Sequence, residues 1–399
     1  MTIRISDLSK WSLFICIVIC CSSNSTLFNR MALLVMFAFC GLNWVISRKG
    51  KLRLNMQFFG LASYGVMLFF STFYAVSPQD KAQSVCFSYF VSLSIVFFLQ
   101  DYIQDKKDIN FYLQSIIVAS VCQFFYLLSI YGLNIISALR RSAVYVRLGD
   151  ESSNSNSVGL LLAYGAILAA FFAIQSKDRL HVTKLGYYLI MSILLLISLL
   201  SGSRKALFVL FTGLFIVFFF CGQNKNYKDK IKTIIATIAV IAFIIYLVSS
   251  IDVFTNVLIR AQKLIDGLNG TAALDFSSQE RIRMIKEGWT VFKSNPILGE
   301  GVYASYHYFG TYSHNNFIEV LMNTGLLGFI IYYFPFLIYF IKFFRVDKND
   351  KRFTLLLFFY CWFVFGGIGM VSYYEKIVMI MVIIISRWVD LSLVEKRKR

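Results

Sequence analysis

General base chemistry near neutral pH calls for a histidine, whose ordinary pKa of about 6.5 suits it to accept a proton. The chain has three. His181 lies in a basic stretch and His307 in a polar one, but His314 stands at the entry to a long apolar block. In Ser313-His314-Asn315-Asn316-Phe317-Ile318-Glu319 the spacing places the imidazole in the first turn of a helix, with Asn315 and Glu319 on one face. Glu319 would then lie one turn inside the apolar block, where ionisable side chains are costly and functional by default. A capping role is the plainer alternative for His314.

Anion chemistry points to arginine, whose planar fork matches phosphate oxygens. Arg204 sits in Ser201-Gly202-Ser203-Arg204-Lys205, a small polar break between two apolar blocks. A helix N-terminus beside a guanidinium is an anion site in principle, although a snorkelling interface arginine fits the same pattern. Arg281 and Arg283 differ by their neighbours. Arg283 has Glu280 three residues before it and Glu287 four after, so a surface ion pair satisfies it. Arg281 meets Ser277, Ser278, Met284 and Ile285 at the matching offsets and shares a face with Ile285, Gly288 and Phe292. Nothing local neutralises it. The acids form no metal pattern: no D-x-D, no histidine pair at i, i+4, and no phosphate-binding glycine loop. No cofactor is expected, and leaving group and energy must arrive with the substrate.

The elements that hold these residues are membrane helices. Hydrophobic residues make up 58% of the chain and charged ones 15%, against roughly 25% charged in soluble domains. Apolar blocks alternate with short basic stretches, and a bilayer core takes about 20 such residues per helix. Twelve blocks are expected to span, from near 11–26 to near 375–391, including 205–221, 231–250 and 314–344. The fold class is all-α: one polytopic domain over residues 1–399, retaining its first apolar block as a helix. With the N-terminus inside, 25 of the 39 basic residues fall on inner segments, so the net charge of +18 reads as the inside-positive bias rather than a nucleic-acid surface. Both termini are then cytoplasmic, and the long segment 251–313 is an extracytoplasmic loop. Within it Ser277-Ser278-Gln279-Glu280 reads as a capping box, followed by Ile282, Ile285, Trp289 and Phe292 at helical spacing and a stop at Ser294-Asn295-Pro296. This amphipathic helix should rest its apolar stripe on the membrane helices or in the interface. Pro335 is the only obvious kink in the histidine helix, and the eight cysteines read as small hydrophobes.

Together these motifs resemble the O-antigen polymerase and O-antigen ligase superfamily. His314-Asn315 followed by Gly325-Leu326-Leu327-Gly328 is similar to its histidine signature. Arg281 with Pro296 and Gly299-Glu300-Gly301 looks like the preceding arginine stretch, Ser201 to Arg204 like its helix-boundary segment, and Asn154 to Gly159 like its asparagine loop. The resemblance covers residues 154 to 328. It implies metal-independent, inverting glycosyl transfer on the outer face of a bacterial cytoplasmic membrane, from polyprenyl-pyrophosphate-linked oligosaccharides. Arg204 and Arg281 would take the pyrophosphate charge and His314 the acceptor proton. Asn156, Asn315, Glu319 and Arg283 would orient acceptor or histidine, and Asn156 is preferred to Asn154 because it lies nearer the helix. The partners implied are the lipid-linked glycans, the bilayer, and a chain-length regulator and flippase of the same pathway. The wording of the serine-arginine and histidine motifs favours a polymerase over a ligase acting on lipid A core. A flippase or transporter is the alternative of another class, but the chain shows no internal repeat of the kind expected there.

Overall fold

The computed structural model describes residues 4–23, 25–46, 53–132, 154–176, 182–221 and 276–398, and the side chains of all of these except 276–278. The block at 231–250, the basic runs at 48–52 and 225–232 that count with the inner segments, Arg140, Arg141, Arg147 and Arg260 that count with the outer ones, His181 and the loop portion 251–275 lie outside these residues.

The described chain is helical throughout: α1 (Ile5–Ser22), α2 (Thr26–Ile46), α3 (Met56–Ser71), α4 (Gln79–Tyr102), α5 (Lys106–Tyr131), α6 (Ser155–Gln175), α7 (Val182–Leu200), α8 (Arg204–Phe220), α9 (Phe276–Ser294), α10 (Ala304–Phe309), α11 (Asn316–Phe343), α12 (Phe353–Phe365) and α13 (Lys376–Lys398). Among the described residues eight helices are long and apolar enough to cross a membrane, and α3 and α12 are shorter apolar helices. Local chemistry sets the starts. Asp105 and Asp108 close a reciprocal cap on α5, while Asn55, Asn154, Ser203 and Asn315 cap α3, α6, α8 and α11 through their side chains.

Two helices form the centre. Every residue of α6 from Val158 to Ala173 is buried, as is every residue of α13 from Val378 to Val389. A helix apolar all round has no preferred face, so it belongs inside a bundle; α6 packs on α5, α7 and α8, and α13 on α4 and α5.

Polar contacts gather at the bundle's two ends. At one end Lys10 bonds Asp108 at 2.7 Å, and Lys106 reaches both Asp350 and Glu395 at 2.8 Å. These pairs join the start of α1 to the start of α5, and the start of α5 to the end of α13. Both termini therefore share one end of the bundle. The turns at 72–78, 201–205, 295–315 and 366–375 lie at the other.

The helix that carries the histidine motif is broken where the sequence suggests no break. Gly325 interrupts α11 with φ 62° and ψ −163°, a backbone region open essentially to glycine alone. The Pro296–Gly301 turn fills the gap. Glu300 N–H donates to Met322 O at 2.7 Å and Gly301 N–H to Asn323 O at 3.0 Å; Leu326 and Leu327 N–H return to Pro296 O and Ile297 O at 2.8 and 3.3 Å. The turn thus matches two carbonyls and two N–H groups at the break. A Cβ on Gly325 would stand 2.3 Å from Ile297 O, and one on Gly299 2.6 Å from Met322 O. Pro335 lies further along α11 against Gly60.

Helix α9 differs from its sequence reading in two respects. It begins at Phe276, so Ser277 stands inside the helix rather than before it, and Glu280 bonds Arg283. Its buried face includes Met284, and Ile285, Gly288 and Val291 pack on the cluster of Ile318 and Met322 of α11; Ile282 and Trp289 are exposed. Gly288 permits this approach, since a Cβ there would lie 2.5 Å from Ile318 Cγ2.

Candidate active site

His314 lies two residues before α11 and does not cap it. The cap is Asn315, whose Oδ1 accepts from Phe317 N–H at 2.9 Å and Ile318 N–H at 3.1 Å. His314 itself is held at φ 60°, a left-handed conformation uncommon for a residue with a Cβ and typical of positions that the surroundings over-determine. Ser313 supplies much of that constraint. Its Oγ donates to Asn315 O at 2.9 Å and its N–H donates to Glu319 Oε2 at 2.9 Å. Glu319 is fully buried and receives Ser305 Oγ on its other oxygen at 2.7 Å. The carboxylate therefore fastens the turn that presents His314. Tyr312 lies against the imidazole, with ring centroids 4.2 Å apart.

Two arginine-bearing segments converge on this turn. Ser203 caps α8 by accepting from Ala206 N–H, and its hydroxyl donates to Asn156 Oδ1 at 2.9 Å. Asn156 thus ties the start of α6 to the Arg204 turn. Asn154, the cap of α6, instead reaches Tyr312 OH at 3.1 Å, so both asparagines of that loop engage the site through different neighbours. From α9, Arg281 approaches on the flank that packs on α11. Its Nε is buried and has no hydrogen-bond partner among the described residues, an expensive state for a charged donor. Arg283 forks onto Glu280 and Glu287, at 2.7 and 2.9 Å at closest, on the exposed side.

Sequence reasoning passed over Lys205, Tyr312 and the segment after α12. The Lys205 ammonium donates to Gly369 O, and Asn315 Nδ2 donates to Ile368 O at 3.2 Å. Asn316 Oδ1 accepts from Ser372 N–H at 2.8 Å and Tyr373 N–H at 2.9 Å. Carbonyls far along the chain thus join α8 to the histidine turn, and no local spacing reveals such a link. The adjacency of Lys205 to Arg204 is a usable signal in the sequence.

The electrostatics follow from this packing. Burial first, then the charges of Arg281 and Lys205, push the His314 imidazole down to about 4, so it is neutral at physiological pH and able to accept a proton. Among the described residues no three of His, Cys, Asp and Glu come together as a metal site would require. The arrangement offers cations for an anionic leaving group and one neutral imidazole beside them.

Residues 189–333 match the family model described as O-antigen ligase. The match supports the O-antigen polymerase and ligase superfamily for this chain. It runs from α7 into α11 and takes in Arg204, Lys205, Arg281, Arg283, His314, Asn315 and Glu319; Asn156 lies before it. No curated protein matches the chain.

Proposed function

We propose that the protein is a membrane glycosyltransferase, a polymerase that joins polyprenyl-pyrophosphate-linked oligosaccharide repeat units on the outer face of a bacterial cytoplasmic membrane. The observation that supports this reading is that the Arg204–Lys205 turn, tied to the histidine turn through Gly369 and Ile368, and Arg281 of a helix far along the chain bring the charges of Lys205 and Arg281 to bear on the neutral His314. In the proposed step a sugar hydroxyl of the acceptor attacks the anomeric carbon of the donor glycan from the face opposite the pyrophosphate. The C–O bond to phosphate breaks, the configuration inverts, and the hydroxyl proton passes to His314. Arg204 and Arg281 take the charge of the departing pyrophosphate, the task a dication would otherwise perform. Asn156 and Asn315 hold the walls of the site, Glu319 fixes the turn that aims the base, and Arg283 stands at the rim.

The orientation in this reading puts the end with both termini in the cytoplasm and residues 251–313 outside, as the inner excess of basic residues suggests. The family description supplies a second reading: a ligase would use the same donor chemistry and move the glycan to lipid A core. Serine-arginine and histidine motif wording favours the polymerase. Glycan profiling of a deletion strain separates the two. Core capped with single repeat units supports polymerase; bare core with accumulated lipid-linked polymer supports ligase; repeat units stranded on the inner leaflet would overturn both in favour of a flippase.

A further inference from the structure

Three basic residues gather at the histidine turn. Lys205 follows Arg204 in the first turn of α8 and is fastened at its ammonium by Gly369 O. The charges that act on it are those of Arg281 and Arg204, both cationic. Bringing cations together and partly burying them raises the energy of the empty site, and an anion of matching charge lowers it. Arg281 presents a buried donor with no acceptor among the described residues. The same two cations that flank the cluster, Arg281 and Lys205, are the charges that bear on His314.

Among the described residues no opposing charge acts on His314. The charges of Arg281 from α9 and Lys205 from α8 act on it, and Arg204 acts on Lys205. The histidine's own turn supplies Tyr312. The Glu319 carboxylate of α11 is spent on Ser305 and Ser313. On the segment after α12, Tyr374 lies among Glu375, Glu319, Tyr303 and Tyr312, yet the charges acting on the imidazole remain the two cations.

We infer that Lys205 completes a three-cation cradle for the donor's diphosphate, and that filling this cradle is what turns His314 into an effective proton acceptor. With the cradle empty, a proton on His314 is opposed by two neighbouring positive charges. A bound diphosphate neutralises them, and the proton becomes welcome. Base strength is thereby tied to donor occupancy, so the acceptor hydroxyl is deprotonated only when a leaving group is in place. By linkage, diphosphate binding must draw a proton onto His314 at mildly acid pH. The inference rests on the glycosyl-transfer reading for its purpose, but not for its test.

The test uses the full chain in nanodiscs and inorganic pyrophosphate as probe. Calorimetric titration at pH 5.5 in buffers of different ionisation enthalpy should show more protons taken up by the wild type than by His314→Gln. Lys205→Met should weaken pyrophosphate binding by about tenfold, the scale of one charge-assisted hydrogen bond, and Lys205→Arg should restore most of it, which excludes misfolding as the cause. In turnover, the acid limb of kcat, which reports the donor-bound enzyme, should lie at higher pH than that of kcat/KM, and Lys205→Met should narrow the gap by raising the kcat/KM limb. Equal proton uptake by wild type and His314→Gln, or unaltered binding by Lys205→Met, overturns the inference. Absence of pyrophosphate binding in a protein with intact polymerase or ligase activity overturns it too, and leaves the proposed function standing. Linked binding in a protein without either activity does the reverse.

Discussion

The two ends of the bundle handle positive charge in opposite ways. At the end with the termini, three lysines come with carboxylates, Lys10 with Asp108, Lys106 with Asp350 and Glu395, and Lys342 with Asp390 at 3.1 Å, while Arg387 reaches the carbonyl of Ile103 at 2.7 Å. These pairs join α1, α5, α11, α12 and α13, and their work is done once the helices are in place. At the other end Arg204, Lys205 and Arg281 are gathered by packing while the carboxylate of Glu319 is turned onto Ser305 and Ser313. The contrast recurs within one helix, where Arg283 has two glutamates and Arg281, two residues away, has a buried Nε with no acceptor among the described residues. A cation supplied with its counter-charge is holding the protein together. Cations gathered close enough to act on one another, with a buried donor of Arg281 left open among the described residues, suit a charge that comes from outside.

This contrast can be broken experimentally. The largest effect should come from His314→Ala, which removes the base and should lower turnover by about 10² to 10⁴ while pyrophosphate binding persists. His314→Asn at near-native turnover would return the residue to a structural role. Next, Arg204→Lys and Arg281→Lys keep charge but lose the planar fork, and each should cost roughly 10- to 100-fold in kcat/KM; Lys342→Arg at the opposite end should leave kcat/KM unchanged. Equal responses at the two ends would erase the distinction.

A third measurement concerns stability. The folded imidazole of His314 is held near 4, below the roughly 6.5 of an unfolded histidine. Between those values the unfolded chain binds more protons, so this group makes the protein lose stability as pH falls from about 6.5 toward 4. His314→Gln should therefore gain thermal stability relative to wild type at pH 5 compared with pH 8. Its melting temperature followed across that range checks the sign. The smallest effect is expected for Arg283→Ala, which removes an exposed pair of helix-surface contacts and should change turnover by less than about twofold.

Much of the site is legible in local spacing because local spacing creates it. The offsets of Glu280 and Glu287 around Arg283 give their ion pairs directly, and the place of Arg281 beside Ile285 and Gly288 puts it on the face that packs on α11. The serine before Arg204 caps α8 because short hydroxyl side chains satisfy a helix's first amides. What spacing cannot show are contacts made by the main chain across long separations. Gly369 and Ile368 contribute only carbonyls to Lys205 and Asn315, and nothing in their side chains advertises it. The break at Gly325 was hidden for the same reason: Gly-Leu-Leu-Gly reads as an apolar helix, and its opening depends on a turn some 25 residues earlier that supplies hydrogen bonds in exchange. The exposure of Ile282 and Trp289 escaped because hydropathy ranks residues without knowing that Gly288 lets a different face come closest. For the span count, the apolar segments around 231–250 remain a sequence expectation.

The seat of the Pro296–Gly301 turn in α11 is made by backbone atoms alone. Such a joint reads no side-chain chemistry beyond its need for glycine at 299 and 325, so it stays closed whatever the neighbouring surface becomes. Residues 306–311, which carry the exposed His307 and Tyr308, hang between this joint and the fastened histidine turn like an interchangeable fitting between two fixed brackets. That exposed stretch can therefore change its side chains without disturbing the turn that holds His314.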